Sequence, residues 1–177
     1  HGKCLDIAEG TPMLGANVKL VGSTSYDVLA GCDLVINTAG VPRKPKPDGS
    51  LPTREELLTT NLKITKMVAG GFKEYCPDAI LISIANPLDA IVYTLYKELS
   101  PPRSKLFGMA GALDSARYRY FIAEAANVAV ENVEALVLGG HGDTMVPIRS
   151  ATAVAGMPVT KFIDEEKLAA IEARTRA

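Results

Sequence analysis

Short, continuous apolar runs alternate along the chain with longer stretches of helical periodicity. Val18–Gly22 predicts a short strand, and 26–30 a brief helical turn. Asp33–Thr38 is apolar without alternation, the pattern of a strand covered on both faces. Ala39-Gly40 ends it, and a long helix follows over Thr53–Tyr75. Thr53 and Glu56 have capping-box spacing at its start, and Pro77 marks its stop. Ala79–Ala85 predicts a second strand, and Leu88–Leu99 a helix closed by Ser100-Pro101-Pro102. A short strand at Lys105–Met109, a helix over Leu113–Asn127 and a strand over Val133–Leu138 come next. Thr152–Val159 reads as a hairpin around Gly156, and 164–174 as an amphipathic helix. No internal repeat interrupts this order.

Such alternation predicts an α/β chain in which crossover helices join parallel strands. In these sheets ligands gather beyond the carboxyl ends of the strands. Thr38-Ala39-Gly40, Asn86 and His141 each close a predicted strand, which places them around one cleft.

His141 carries the strongest chemical signal. The chain has two histidines, the other being residue 1. Imidazole is the side chain whose ordinary titration lies closest to neutrality, so it is the natural proton shuttle. Gly139, Gly140 and Gly142 around it let a ligand approach the backbone. Asp114 and Arg117 are three apart on a predicted helix and share one face. They form either an ordinary surface pair or two groups aimed into the cleft. In the second case Asp114 accepts a hydrogen bond from His141 and favours its protonated form, while Arg117 clamps a carboxylate. The Pro- and Gly-rich segment 41–54 is either a solvated basic loop or a lid bringing Arg43 and Arg54 to an anionic substrate.

Composition narrows the class. With 177 residues and 47% apolar residues the chain can bury a core. Its net charge of −1 gives no general footprint for nucleic acid or a membrane surface. No apolar run approaches the ~20 residues of a membrane span. The three cysteines, Cys4, Cys32 and Cys76, match no metal spacing or disulfide framework, so no metal and a reduced, cytoplasmic setting are expected.

Four segments together carry a resemblance. They are Thr38-Ala39-Gly40-Val41-Pro42-Arg43-Lys44-Pro45, Asn86-Pro87-Leu88-Asp89, Gly108 to Arg117, and Gly139-Gly140-His141-Gly142-Asp143-Thr144-Met145-Val146-Pro147. In order and spacing the chain resembles the malate dehydrogenases of the lactate/malate dehydrogenase family. The resemblance implies a Rossmann-like parallel sheet, incomplete here, followed by the start of an α+β catalytic domain. On this reading 1–87 form part of an NAD-binding domain and 88–177 part of a substrate domain. It implies NAD-dependent interconversion of malate and oxaloacetate in carboxylic acid metabolism such as the tricarboxylic acid cycle, by a homodimer or homotetramer. His141 is then the acid/base and Asp114 its orienting partner. Arg117 binds the C1 carboxylate, Arg54 polarises the carbonyl, Arg43 pairs with the distal carboxylate and Asn86 contacts substrate and nicotinamide ribose. Thr38, Ala39, Gly40, Asn61, Ile84, Ala85 and Asn86 hold the cofactor.

The chain also departs from that pattern. It contains no G-x-G-x-x-G phosphate loop and ends in a helix of the catalytic domain. It is therefore expected to be a piece of an enzyme roughly twice as long. Without the family's first two strands, an exposed apolar sheet edge, poor NAD binding and aggregation are expected. The stretch between Arg43 and Arg54 is longer than the family's usual one, and Lys46 competes with Arg43 for the specificity position. Ala85 stands where threonine is commoner. A lactate/pyruvate-specific dehydrogenase, or an inactive remnant acting as a binding module, are the alternatives.

Overall fold

A computed structural model describes residues 2–42, 44–45, 49–50 and 53–176, with the backbone alone at 54 and 55. Its first element, α1 (Gly2–Gly10), buries no residue. Strand β1 (Leu34–Asn37) leads through α2 (Arg54–Tyr75) to β2 (Ile80–Ser83), and α3 (Leu88–Leu99) leads on to β3 (Leu106–Gly108). These strands form one parallel sheet in the order β1-β2-β3, with Leu34 opposite Ile80 and Leu81 opposite Leu106. Parallel neighbours need a crossover, and α2 and α3 supply the two. Thr53 caps α2 as its spacing predicts: the Glu56 amide donates to Thr53 Oγ1 at 3.1 Å, and the Thr53 amide donates to Glu56 Oε2 at 2.9 Å.

Beyond the sheet, α4 (Gly111–Ala126) begins two residues before the expected Leu113. The run Val133–Leu138 does not form one strand. It divides into β4 (Val133–Glu134) and β5 (Val137–Gly139), which join different sheets. β5 pairs antiparallel with β6 (Met145–Pro147). β4 pairs with β7 (Ala153–Val154), which turns at Ala155-Gly156 into β8 (Met157–Pro158). Gly156 has φ +77°, which glycine adopts without strain. Helix α5 (Glu165–Arg176) then packs on α4.

Two predictions fail at the start of the chain. Val18–Gly22 is not a strand, because no described strand lies beside it and an unpaired strand gains no ladder. β1 is not covered on both faces: Leu34 is 49% exposed and Ile36 56%. Its edge away from β2 has no partner among the described residues, so the expected apolar edge is present. The sheet also runs past the expected boundary after residue 87, since β3 at Leu106–Gly108 belongs to it.

Each half has its own core. Ala69 and Phe72 of α2, Leu81 of β2, and Ile91 and Leu95 of α3 pack together beside the parallel sheet. Tyr118 and Ile122 of α4 meet Val133, Val137, Val154, Leu168 and Ile171 in the other half. Leu88, Ile91 and Leu95 recur at helical spacing, so α3 presents one apolar stripe to the sheet. Ile91 is fully buried. Its replacement by alanine is expected to destabilise the fold by about 2–5 kcal/mol. Urea unfolding followed by circular dichroism checks this, and a change under ~1 kcal/mol would mean that the stripe is not packed.

Candidate active site

The carboxyl ends of β1 and β2 are tied by side chains. Asn37 is buried and donates through Nδ2 to Ser83 Oγ at 3.1 Å. Its Oδ1 accepts from the Ala39 amide at 3.1 Å and so sets the turn through Thr38-Ala39-Gly40. Thr38 and Ala39 then line a cleft of about 390 Å³ with Tyr26 and Phe72.

Asn61, on the second turn of α2, is fully buried. Its Oδ1 accepts from the Val41 amide at 2.7 Å, and its Nδ2 donates to the carbonyls of Val41 at 3.3 Å and Asn86 at 2.8 Å. Both amide protons are thereby engaged, so Asn61 acts as a strut joining the loop after β1 to the loop after β2. Four expected cofactor positions, Gly40, Asn61, Ala85 and Asn86, thus come together at the sheet's carboxyl end. Ala85 is buried, whereas Thr38, Gly40, Ile84 and Asn86 are exposed.

His141 stands on the loop between β5 and β6. Gly139 opens that loop with φ +89°, and a Cβ there would meet the Thr144 carbonyl at 2.5 Å, so the tight turn requires glycine. The imidazole Nδ1 lies 3.0 Å from Asp114 Oδ2. A carboxylate only accepts, so the shared proton belongs to Nδ1 and the other ring nitrogen faces away from Asp114. Asp114 is 3% exposed and His141 20%. Helix α4 fixes Asp114, and its neighbour Ser115 docks that helix on β5 by accepting the Val137 amide at 3.0 Å. Asp114 Oδ1 is buried without a hydrogen-bond partner among the described residues.

A second contact reaches the same loop. The His141 backbone amide donates to Asp89 Oδ2 at 3.3 Å. Asp89, Leu88 and Val92 of α3 line a cavity of about 240 Å³ with Gly108, Ala110, Gly111, Gly139 and His141. The Asn86-Pro87-Leu88-Asp89 segment therefore links the strand-end cluster to the histidine loop.

The arginines are placed differently. Arg117 donates through Nη1 to the Thr175 carbonyl of α5 at 3.3 Å, so its contact here is with the helix and not with His141. Arg54 opens α2, and its side chain lies outside what is described. Arg43 and Lys46 lie outside the described residues altogether. Among the described residues no cluster of side chains could hold a metal ion. Burial pushes the Cys76 thiol up, which leaves it a poor nucleophile. Sequence reasoning missed Asn37, Ser83 and Ser115. The first ends an apolar strand, where a polar residue is a usable signal; the other two sit in runs that give none.

The chain and its fold have counterparts among known proteins. The family model described as lactate/malate dehydrogenase, NAD binding domain, matches residues 1–108. The model described as lactate/malate dehydrogenase, alpha/beta C-terminal domain, matches residues 111–176. A malate dehydrogenase of Xanthobacter autotrophicus is 49% identical over 181 residues, covering 99% of this chain and 55% of the relative. The solved malate dehydrogenase of Cryptosporidium parvum superposes with a TM-score of 0.90 at 40% identity, over 99% of this chain and 56% of that one. The lactate dehydrogenase of the same organism, solved with lactic acid and nicotinamide adenine dinucleotide, gives 0.88 at 42% identity, over 99% and 56%. The chain spans about half the length of the curated relatives it matches, 55% and 54% of the first two. With both family models matched in order and the parallel sheet and histidine loop in place, the chain belongs to the lactate/malate dehydrogenase family.

Proposed function

We propose that the whole protein interconverts malate and oxaloacetate with NAD, as a cytoplasmic homodimer or homotetramer. The observation that carries this is the buried Asp114 carboxylate 3.0 Å from His141 Nδ1, beside a cavity at the sheet's carboxyl end. When His141 is unprotonated at its free ring nitrogen it takes the hydroxyl proton of malate, and Asp114 stabilises the imidazolium that results. In the reverse direction the imidazolium returns that proton to the oxaloacetate carbonyl oxygen. Bound NAD supplies the hydride acceptor, and NADH the donor. The exposed residues Thr38, Gly40, Ile84 and Asn86 fit the nicotinamide end of such a cofactor, since they follow the ends of parallel strands side by side.

Arg117, Arg54 and Arg43 complete the reading as carboxylate and carbonyl partners. Arg117 leaves the Thr175 carbonyl for the C1 carboxylate, because a charged, bidentate acceptor outcompetes one backbone carbonyl. Arg43 pairs with the distal carboxylate, which pyruvate lacks. The malate dehydrogenase name of the curated relatives supports the diacid. Among the described residues no helix is long and apolar enough to cross a membrane.

Steady-state NADH oxidation by the full-length protein tests this. Oxaloacetate is expected to exceed pyruvate in kcat/KM by about 100-fold or more. A preference for pyruvate would reassign the substrate to a monocarboxylate, and NADH oxidation with neither acid would remove the dehydrogenase reading.

A further inference from the structure

We infer that Asp89 is a positioning residue: its carboxylate tethers the His141 backbone and so fixes the height of the imidazole above the strand ends. The inference rests on the malate dehydrogenase reading for its kinetic consequence, but not for the tether itself. His141 is held by two carboxylates from two helices. Asp114 of α4 grips the ring at Nδ1, and Asp89 of α3 accepts the backbone amide at 3.3 Å. One contact sets the direction of the ring, and the second sets where the loop tip sits.

The loop is built around this contact. A Cβ on Gly140 would lie 3.2 Å from Asp89 Oδ2 and 2.5 Å from Thr144 Oγ1, so glycine allows the backbone to close on the carboxylate. Asp89 and His141 also line the same cavity of about 240 Å³. The tether crosses the molecule's main division. Asp89 lies in the part matched by the NAD-binding model, and His141 in the part matched by the C-terminal model. It therefore sets the acid/base relative to the half that would carry the nicotinamide. Reacting atoms must meet within a few tenths of an ångström of their productive distance, and a ~1 Å misplacement can cost ~10²-fold in rate.

Asp89 also stands in the first turn of α3, where an acidic side chain favours the helix N-terminus. Paired variants separate the two roles. Asp89→Asn keeps an oxygen that accepts the His141 amide but removes the charge, whereas Asp89→Ala removes both. In the full-length protein, Asp89→Ala is expected to lower kcat about tenfold with KM and NADH affinity within twofold, and Asp89→Asn to recover most of the loss. Amide hydrogen exchange without substrate gives the independent readout. Exchange at His141 and its neighbours to Thr144 is expected to quicken about tenfold in Asp89→Ala and to stay near the parent rate in Asp89→Asn. Unchanged exchange in Asp89→Ala, or Asn behaving like Ala in exchange, would overturn the tether. If the parent protein reduces neither 2-oxo acid, the dehydrogenase reading fails alone and exchange still decides on Asp89.

Discussion

Replacing His141 by asparagine is expected to lower oxaloacetate reduction by the full-length protein about 10³–10⁴-fold, the upper range of what a positioned acid/base contributes. Asparagine is the informative choice because its amide nitrogen occupies nearly the place of imidazole Nδ1. The hydrogen bond to Asp114 Oδ2, 3.0 Å long in the parent, can therefore persist, and the loop keeps its anchor. What asparagine lacks is anything at the second ring nitrogen and any group that exchanges a proton near neutrality. Binding and fold are thus separated from proton transfer. NADH fluorescence titration and circular dichroism are expected to match the parent while turnover collapses. Turnover within tenfold of the parent would remove His141 from the mechanism and leave the buried pair a structural one.

How far the sequence reveals this site depends on whether its signals are local. The Thr53–Glu56 box, the Pro77 stop and the Ala155-Gly156 turn are written in adjacent residues, and each is found where its pattern predicts. The stripe of Leu88, Ile91 and Leu95 likewise shows which face α3 buries. The His141–Asp114 contact spans 27 positions, and residue types alone left Asp114 and Arg117 open between a surface pair and a site. Asp114 is buried with its Oδ2 3.0 Å from His141 Nδ1, whereas Arg117 lies against Thr175. Asn61 illustrates the opposite limit. Family likeness marks it for the cofactor, but its buried amide is spent on the Val41 and Asn86 backbone, a network that becomes visible only with coordinates. The strand expected at Val18–Gly22 failed for a different reason. Apolar residues can specify a strand only when a neighbour is present to pair with, and none lies there among the described residues.

Asp114→Asn is expected to separate stability from activity. In the parent, Asp114 Oδ2 faces His141 while Oδ1 is buried without a hydrogen-bond partner among the described residues. Holding a carboxylate in that setting costs folding free energy whenever the imidazole beside it is neutral, because the charge is then uncompensated. The amide has nearly the same shape and no charge. The unfolding midpoint is therefore expected not to fall, and thermal denaturation checks this. Catalysis pays the difference. With asparagine, either the amide oxygen accepts from Nδ1 or the amide nitrogen donates to it, and the second arrangement selects the tautomer whose free nitrogen carries a proton and cannot accept one. In the first arrangement the imidazolium formed as malate loses its hydroxyl proton no longer has the Asp114 carboxylate at Nδ1. Losing both the orientation and that charge in a triad-like pair costs about 10²–10⁴-fold in kcat. Malate oxidation and oxaloacetate reduction are expected to decline together, since both pass through the same imidazolium-bearing transition state. A variant that is as active as the parent but less stable would show that Asp114 serves the fold of α4 and not the proton. A variant both stable and slow would identify the half-satisfied Asp114 carboxylate as a local cost kept for catalysis, of the kind that functional sites retain.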